Sequence, residues 1–137
     1  MKRVITFGTF DLFHIGHLKI LERSKNYSSE QNVLIVGVSS DELNFKKKQQ
    51  YPCINLNHRK EIVSSLRVVD EVFTEYKLED KLKYCKDHKA DLLIMGDDHL
   101  NEYEYLKEEI KDFNVVYLPR TKNISTTEIK HELAMRK

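Results

Sequence analysis

Val4-Ile5-Thr6-Phe7-Gly8-Thr9-Phe10-Asp11-Leu12-Phe13-His14-Ile15-Gly16-His17 is the stretch on which the reading of the whole chain turns. It opens as a short apolar run of strand length, breaks at a glycine, and enters a segment with helical spacing of apolar residues. A strand, a tight loop and a helix start are the first half of a βα unit. Gly8 is expected to permit the tight turn, and Gly16 to let a ligand come close to the helix start. The chain has only four glycines and two of them fall here, so their placement reads as a requirement of this loop. Free N–H groups at a helix N-terminus favour phosphate. His14 and His17, on the first helical turn, can both face that phosphate and donate to oxygens whose charge grows as a phosphoryl centre becomes five-coordinate. An H-x-x-H pair can also chelate a transition metal, but a third ligand would have to come from elsewhere and nothing requires Asp11 to supply it. No protein-held metal is expected.

Outward from this unit, short apolar runs alternate with amphipathic stretches, the pattern of a parallel sheet covered by helices. Strands are expected at Val4–Phe7, Val33–Ser39, Glu71–Thr74, Asp91–Met95 and Val115–Leu118. Helices are expected at about 15–27, 57–67, 78–88, 102–111 and 125–136. In the third, Leu78, Leu82 and Cys85 would form one buried stripe; in the last, Ile129 and Leu133 would do so more thinly. Phe45–Leu56 is the least regular piece and reads as a loop or lid. The expected fold is α/β: a single doubly wound Rossmann-like domain, residues 1–137, with a five-stranded parallel sheet. Such sheets bind ligands at the carboxyl ends of the strands, where the strand order reverses.

Composition narrows the class of partner. A formal net charge of +1 over 137 residues gives no reason to expect a nucleic acid or an anionic membrane. Local basic spots, Lys46-Lys47-Lys48 and Arg59-Lys60, could meet a small anion. Cys53 and Cys85 lie far apart with no C-x-x-C, which argues against a disulfide framework and a zinc site, so both read as free thiols. No signal peptide and no long apolar run is seen, and the expectation is a cytoplasmic protein without membrane insertion.

A second motif follows the last strand: Arg120-Thr121-Lys122-Asn123-Ile124-Ser125-Thr126-Thr127-Glu128. Ser125 and Glu128 fit a capping box. A cap does not require the extra hydroxyls of Thr126 and Thr127, nor Arg120 and Lys122 upstream. Cations, a turn and several hydroxyls at a helix N-terminus make a second phosphate cradle. Two cradles at two helix starts suit a triphosphate stretched between them.

The first motif resembles the H-x-G-H signature of the cytidylyltransferase-like nucleotidyltransferases, and Arg120–Thr127 resembles their second signature. With His58-Arg59-Lys60, Val69-Asp70-Glu71-Val72, Met95-Gly96-Asp97-Asp98 and Val116-Tyr117-Leu118-Pro119, the likeness covers nearly the whole chain and is similar to the glycerol-3-phosphate cytidylyltransferases in particular. The resemblance implies that Thr9, Phe10, His14, Gly16 and His17 contact CTP, and that Arg120, Thr121, Ile124, Ser125, Thr126 and Thr127 hold the triphosphate. It implies phosphate-contacting lysines at Lys47 and Lys81, the first of them catalytic together with His14, His17 and Arg120, with Lys48 standing in where Gln49 occupies another lysine's place. Arg67 matches an arginine that reaches the active site, and Asp97 and Asp98 would line the nucleotide or polyol pocket. The family has a Trp after this Asp pair where the chain has His99. Implied further are Mg²⁺ carried with CTP, a polyol phosphate as second substrate, a homodimer, and service to a cell-wall or capsule polymer. The rivals are an adenylyl- or cytidylyltransferase for a different alcohol or sugar phosphate, a nucleotide-binding domain without turnover, and a fragment of a class I tRNA synthetase, for which the chain is short.

Overall fold

The computed structural model describes residues 1–28, 30–122 and 124–136. Five strands, β1 (Lys2–Gly8), β2 (Asn32–Ser39), β3 (Glu71–Glu75), β4 (Leu92–Gly96) and β5 (Asn114–Leu118), form one sheet in the order β3-β2-β1-β4-β5. All pairings are parallel. Six helices join or follow them: α1 (Ile15–Lys25), α2 (Asp41–Lys48), α3 (Leu56–Ser64), α4 (Lys81–Asp87), α5 (Leu106–Glu109) and α6 (Thr126–Met135). The doubly wound α/β expectation holds.

Both faces of the sheet are dry, which is why the strands read as continuous apolar runs. Along β1, Val4 faces one core with Leu21, Leu34, Val36, Val63 and Ile94. Ile5 and Phe7 face the other, with Ile35, Cys85, Leu93, Met95 and Leu106. The helices α1 and α3 therefore cover one face, and α4 and α5 the other. From β1 the chain winds out to β3, returns to the middle for β4, and winds out again to β5. The order reverses between β1 and β4, so the crevice at their carboxyl ends is the expected ligand site.

Four local expectations are corrected. Phe45–Leu56 is not a loop throughout: Phe45–Lys48 belongs to α2. Ser40 caps that helix by accepting from Leu43 N, Asp41 and Glu42 occupy its first turn, Lys46–Lys48 its last, and Gln49 closes it in the left-handed region at φ 60°. These are favourable ends on a weakly apolar helix, and ends are easy to overlook when periodicity is the guide. The expected helix at 102–111 shrinks to Leu106–Glu109; upstream, Tyr103 N donates to the Tyr117 hydroxyl instead of a helical carbonyl. In the helix at 78–88, Leu78 lies in a 3₁₀ turn and is 39% exposed, while Cys85 is fully buried. On α6 no residue is buried and Leu133 is 58% exposed.

Candidate active site

A cleft of about 670 Å³ opens at the carboxyl ends of β1 and β4. Its walls come from the β1–α1 loop, the segment after α2, the end of β4, and the Pro119–Lys130 stretch that leads into α6. Of the residues expected there, Thr9, Phe10, His14, Gly16, His17, Lys48, Asp98, Arg120, Thr121, Ile124, Ser125, Thr126 and Thr127 all line it. The two motifs, more than a hundred residues apart in sequence, share one cavity.

The β1–α1 loop is locked by packing. The glycines, however, do not supply the turn. The left-handed conformations belong to Phe10 (φ 55°) and Leu12 (φ 48°), and no glycine has a positive φ. Such angles are costly for bulky residues and persist only when surroundings fix them. Here a Cβ on Gly8 would come within 2.8 Å of the Phe10 ring, so Gly8 makes room for that ring to fold beneath the strand end. Phe10 is 5% exposed and meets His17 edge-on at 5.4 Å. Gly16 does the same for His14: a Cβ there would lie 2.9 Å from the imidazole and 3.3 Å from Ile124.

His14 is the N-cap of α1, and the two imidazoles stack with centroids 3.7 Å apart. His14 Nδ1 accepts from Gly16 N at 3.0 Å, and His17 Nδ1 accepts from His14 N at 3.2 Å. A ring nitrogen that accepts from an amide carries no proton, so each neutral ring bears its proton on Nε2. The amides at the helix start are thus partly spent on the histidines, which pass the positive end of the helix on as Nε2–H donors. Both rings are held neutral. Burial lowers the His14 pKa, the Arg120 charge acts the same way, and Glu128 opposes. Burial pushes His17 down to about 4, helped by His14 and opposed by Asp11. His14 Nε2 is the one buried side-chain polar atom without a hydrogen-bond partner among the described residues.

Asn44, which no motif contains, holds this corner together with Asp11, Arg59 and Thr126. Asp11 is 4% exposed, and its carboxylate accepts from Cys53 N and Ile54 N, tying down the far side of the cleft. Its backbone carbonyl accepts from the Thr126 hydroxyl at 2.8 Å, which docks the start of α6 onto the β1–α1 loop. Asn44 on α2 takes the Thr9 hydroxyl and donates to Ser39 Oγ. Arg59, expected in a basic spot open to an anion, is instead fully buried. Its guanidinium donates to the carbonyls of Ile54, Thr9 and Ser39 and to Asp41, stitching together the ends of β1 and β2. A planar fork of five donors suits such a junction, and its occupation leaves little for a ligand.

The remaining expected residues stand apart from the cleft lining. Lys81 and Glu75 are both 2% exposed and paired with each other. Lys47 is exposed in the last turn of α2, yet partial burial of its ammonium lowers its pKa, with Glu75 opposing and Lys81 and Lys48 adding to the lowering. Asp97 is exposed in the turn after β4. Arg67 is exposed beyond the end of α3, close in the chain to Asp70, which accepts from Leu34 N near the start of β2. That is the amino-terminal side of the sheet, opposite the cleft. Asn123 lies outside the described residues. On α6, Ser125 accepts from Glu128 N at 3.0 Å, as the capping motif requires.

The model of the Cytidylyltransferase-like family matches residues 5–132. The chain is 46% identical over 134 residues to a glycerol-3-phosphate cytidylyltransferase of Bacillus subtilis strain 168, covering 98% of each. It is 40% identical over 134 residues to the glycerol-3-phosphate cytidylyltransferase of Staphylococcus aureus strain NCTC 8325 / PS 47, covering 97% of this chain and 96% of that one. Among solved structures it is similar to a lipopolysaccharide core biosynthesis protein of Thermoplasma volcanium GSS1, with a TM-score of 0.76 at 26% identity over 89% of this chain and 99% of the other.

Proposed function

This chain belongs to the cytidylyltransferase-like family and is a nucleotidyltransferase, and from that premise we propose that it transfers CMP from CTP to glycerol 3-phosphate, giving CDP-glycerol and pyrophosphate. The choice of acceptor follows the names of the relatives with which it shares nearly its full length. The observation that carries the chemistry is the unpartnered His14 Nε2 in a cleft that also holds His17, Arg120 and Lys48. A buried donor without a partner is costly, and an oxygen of the reacting phosphate would relieve it.

The step is one in-line displacement. A phosphate monoester with a second pKa of roughly 6 is largely dianionic at neutral pH, so the acceptor oxygen needs no general base. It forms the new O–P bond to the α-phosphorus of CTP as the bond to pyrophosphate breaks. His14 and His17 donate Nε2–H bonds to the oxygens that gain charge, at positions fixed before substrate arrives. Arg120 and the start of α6 hold the β- and γ-phosphates, and Lys47 and Lys81 serve the acceptor phosphate. Mg²⁺ suits this donor set as a cation brought by the nucleotide, because Asp11 is spent on two amides and Asp98 is the other carboxylate lining the cleft among the described residues. When bound, it would neutralise charge on the phosphate oxygens. The resemblance adds a cytoplasmic homodimer whose product feeds a cell-wall or capsule polymer.

Pyrophosphate release measured across the four nucleoside triphosphates and a panel of polyol and sugar phosphates tests this reading. The expected result is turnover with CTP and glycerol 3-phosphate well above every other pair. A preference for ATP would make the enzyme an adenylyltransferase, and a preference for another phosphate ester would replace the acceptor.

A further inference from the structure

We propose that Glu75 is the positioning residue of the acceptor end of the cleft, holding Lys81 and drawing in Lys47 so that two ammoniums converge on one phosphate. The inference rests on the acceptor reading above, and it concerns a residue that neither motif contains.

Glu75 is the last residue of β3, and its backbone carbonyl accepts from Ser40 N at 2.9 Å, where α2 begins. Its carboxylate pairs with Lys81, the first residue of α4. One buried residue thus joins the end of a strand to the starts of two helices, to α2 through its carbonyl and to α4 through its carboxylate, and α2 carries Lys47 in its last turn. The Lys81 ammonium lies 4.3 Å from the centre of the Phe7 ring and 5.4 Å from that of Tyr103. Phe7 lines the cleft, so the pair sits directly behind its wall.

As a stability device this arrangement is poor. A buried cation at a helix N-terminus opposes the helix dipole, and a buried ion pair seldom repays the desolvation of its two charges. The groups around Lys81 are Glu75 from β3, Lys47 from α2, Cys85 from its own helix, Phe7 from β1, and Tyr103 from the segment before α5. Two cations around one carboxylate leave net positive charge beside the cleft, and a dianionic phosphate ester is the ligand that would balance it. Without Glu75 the ammoniums would repel one another, and Lys81 would be left buried and unpaired.

The test is steady-state kinetics of the full-length enzyme with CTP and sn-glycerol 3-phosphate, in the parent and in three variants. Glu75→Gln should raise the KM for glycerol 3-phosphate about tenfold or more with the KM for CTP little changed, the mark of binding lost at one substrate only. Glu75→Asp, which keeps the charge, should recover part of that loss. Glu75→Gln/Lys81→Met removes both buried charges and should fold stably, because apolar replacement of a buried pair is tolerated, yet it should still show the raised acceptor KM. An unchanged acceptor KM in Glu75→Gln or in the double variant would overturn the proposal. So would an equal rise in both KM values. If the parent turns over with a different phosphate ester, the acceptor reading alone fails, and the same split is read with that ester.

Discussion

Two helix starts face the same cleft, and they are built in opposite ways. At the β1–α1 corner the imidazoles of His14 and His17 are stacked on each other, with Phe10 edge-on to His17 and room made by Gly8 and Gly16. The helix behind them buries Leu21 and Ser24. At the β5–α6 corner, Arg120 and Lys122 are exposed, and α6 buries nothing. Its anchors are single contacts: Thr126 on the Asp11 carbonyl, Lys130 3.6 Å from the Asp11 carboxylate, and Arg23 on the Pro119 carbonyl. The first corner is fixed before substrate arrives, as electrostatic stabilisation of a transition state requires. At the second, Arg120 and Lys122 form no ion pair among the described residues, and a triphosphate would give them one, as the proposed clamp requires.

The largest effect should come from breaking the fixed corner. His14→Ala and His17→Ala should each lower kcat by on the order of 10²–10³, the range for one preorganised donor, with the dissociation constant for CTP little changed. Calorimetric CTP titrations beside single-turnover rates would check this; a sharp loss of CTP affinity with kcat maintained would erase the contrast between the corners. The β5–α6 corner should fail differently. Arg120→Ala should weaken CTP binding by about tenfold, the order of one charge-assisted hydrogen bond, with a smaller effect on the rate at saturation. The smallest effect is one of motion: amide exchange across 121–127 should slow on adding CTP and Mg²⁺, while β5 stays unchanged. Equal exchange with and without nucleotide would leave Ser125 and Glu128 as an ordinary helix cap.

The same contrast explains what could be read from the sequence. The β1–α1 corner is made by residues close together in the chain, so its glycines, histidines and strand-to-helix break announced it. Even there the reason for Gly8 was misread, because its room is needed by a ring two residues on rather than by its own backbone. The start of α6 was legible from its Ser125 cap. Arg59 and Glu75 were not legible: Arg59 gains its meaning from the distant Thr9 and Ser39, and Glu75 from Lys81 across a strand-to-helix connection whose folding back no local motif announces. A basic pair in sequence says nothing of whether its arginine faces water or three carbonyls. Asn44 was hidden for a simpler reason, lying on a helix whose signal is in its caps rather than its apolar spacing.

The central claim is that two neutral imidazoles stand ready as Nε2–H donors. Its sign with pH is definite. A histidine whose folded pKa is depressed binds a proton less readily than the unfolded chain does, so its contribution to stability is complete above the ordinary imidazole value of 6.5 and lost as pH falls toward about 4, where His17 takes up a proton. Nitrogen-15 NMR of the two rings across this range reads both tautomer and protonation directly. The expected result is the Nε2–H form for both at neutral pH, with His17 still neutral at pH 6 and titrating near 4. A proton on Nδ1 of either ring at neutral pH, or ordinary titration of His17 near 6.5, would contradict it.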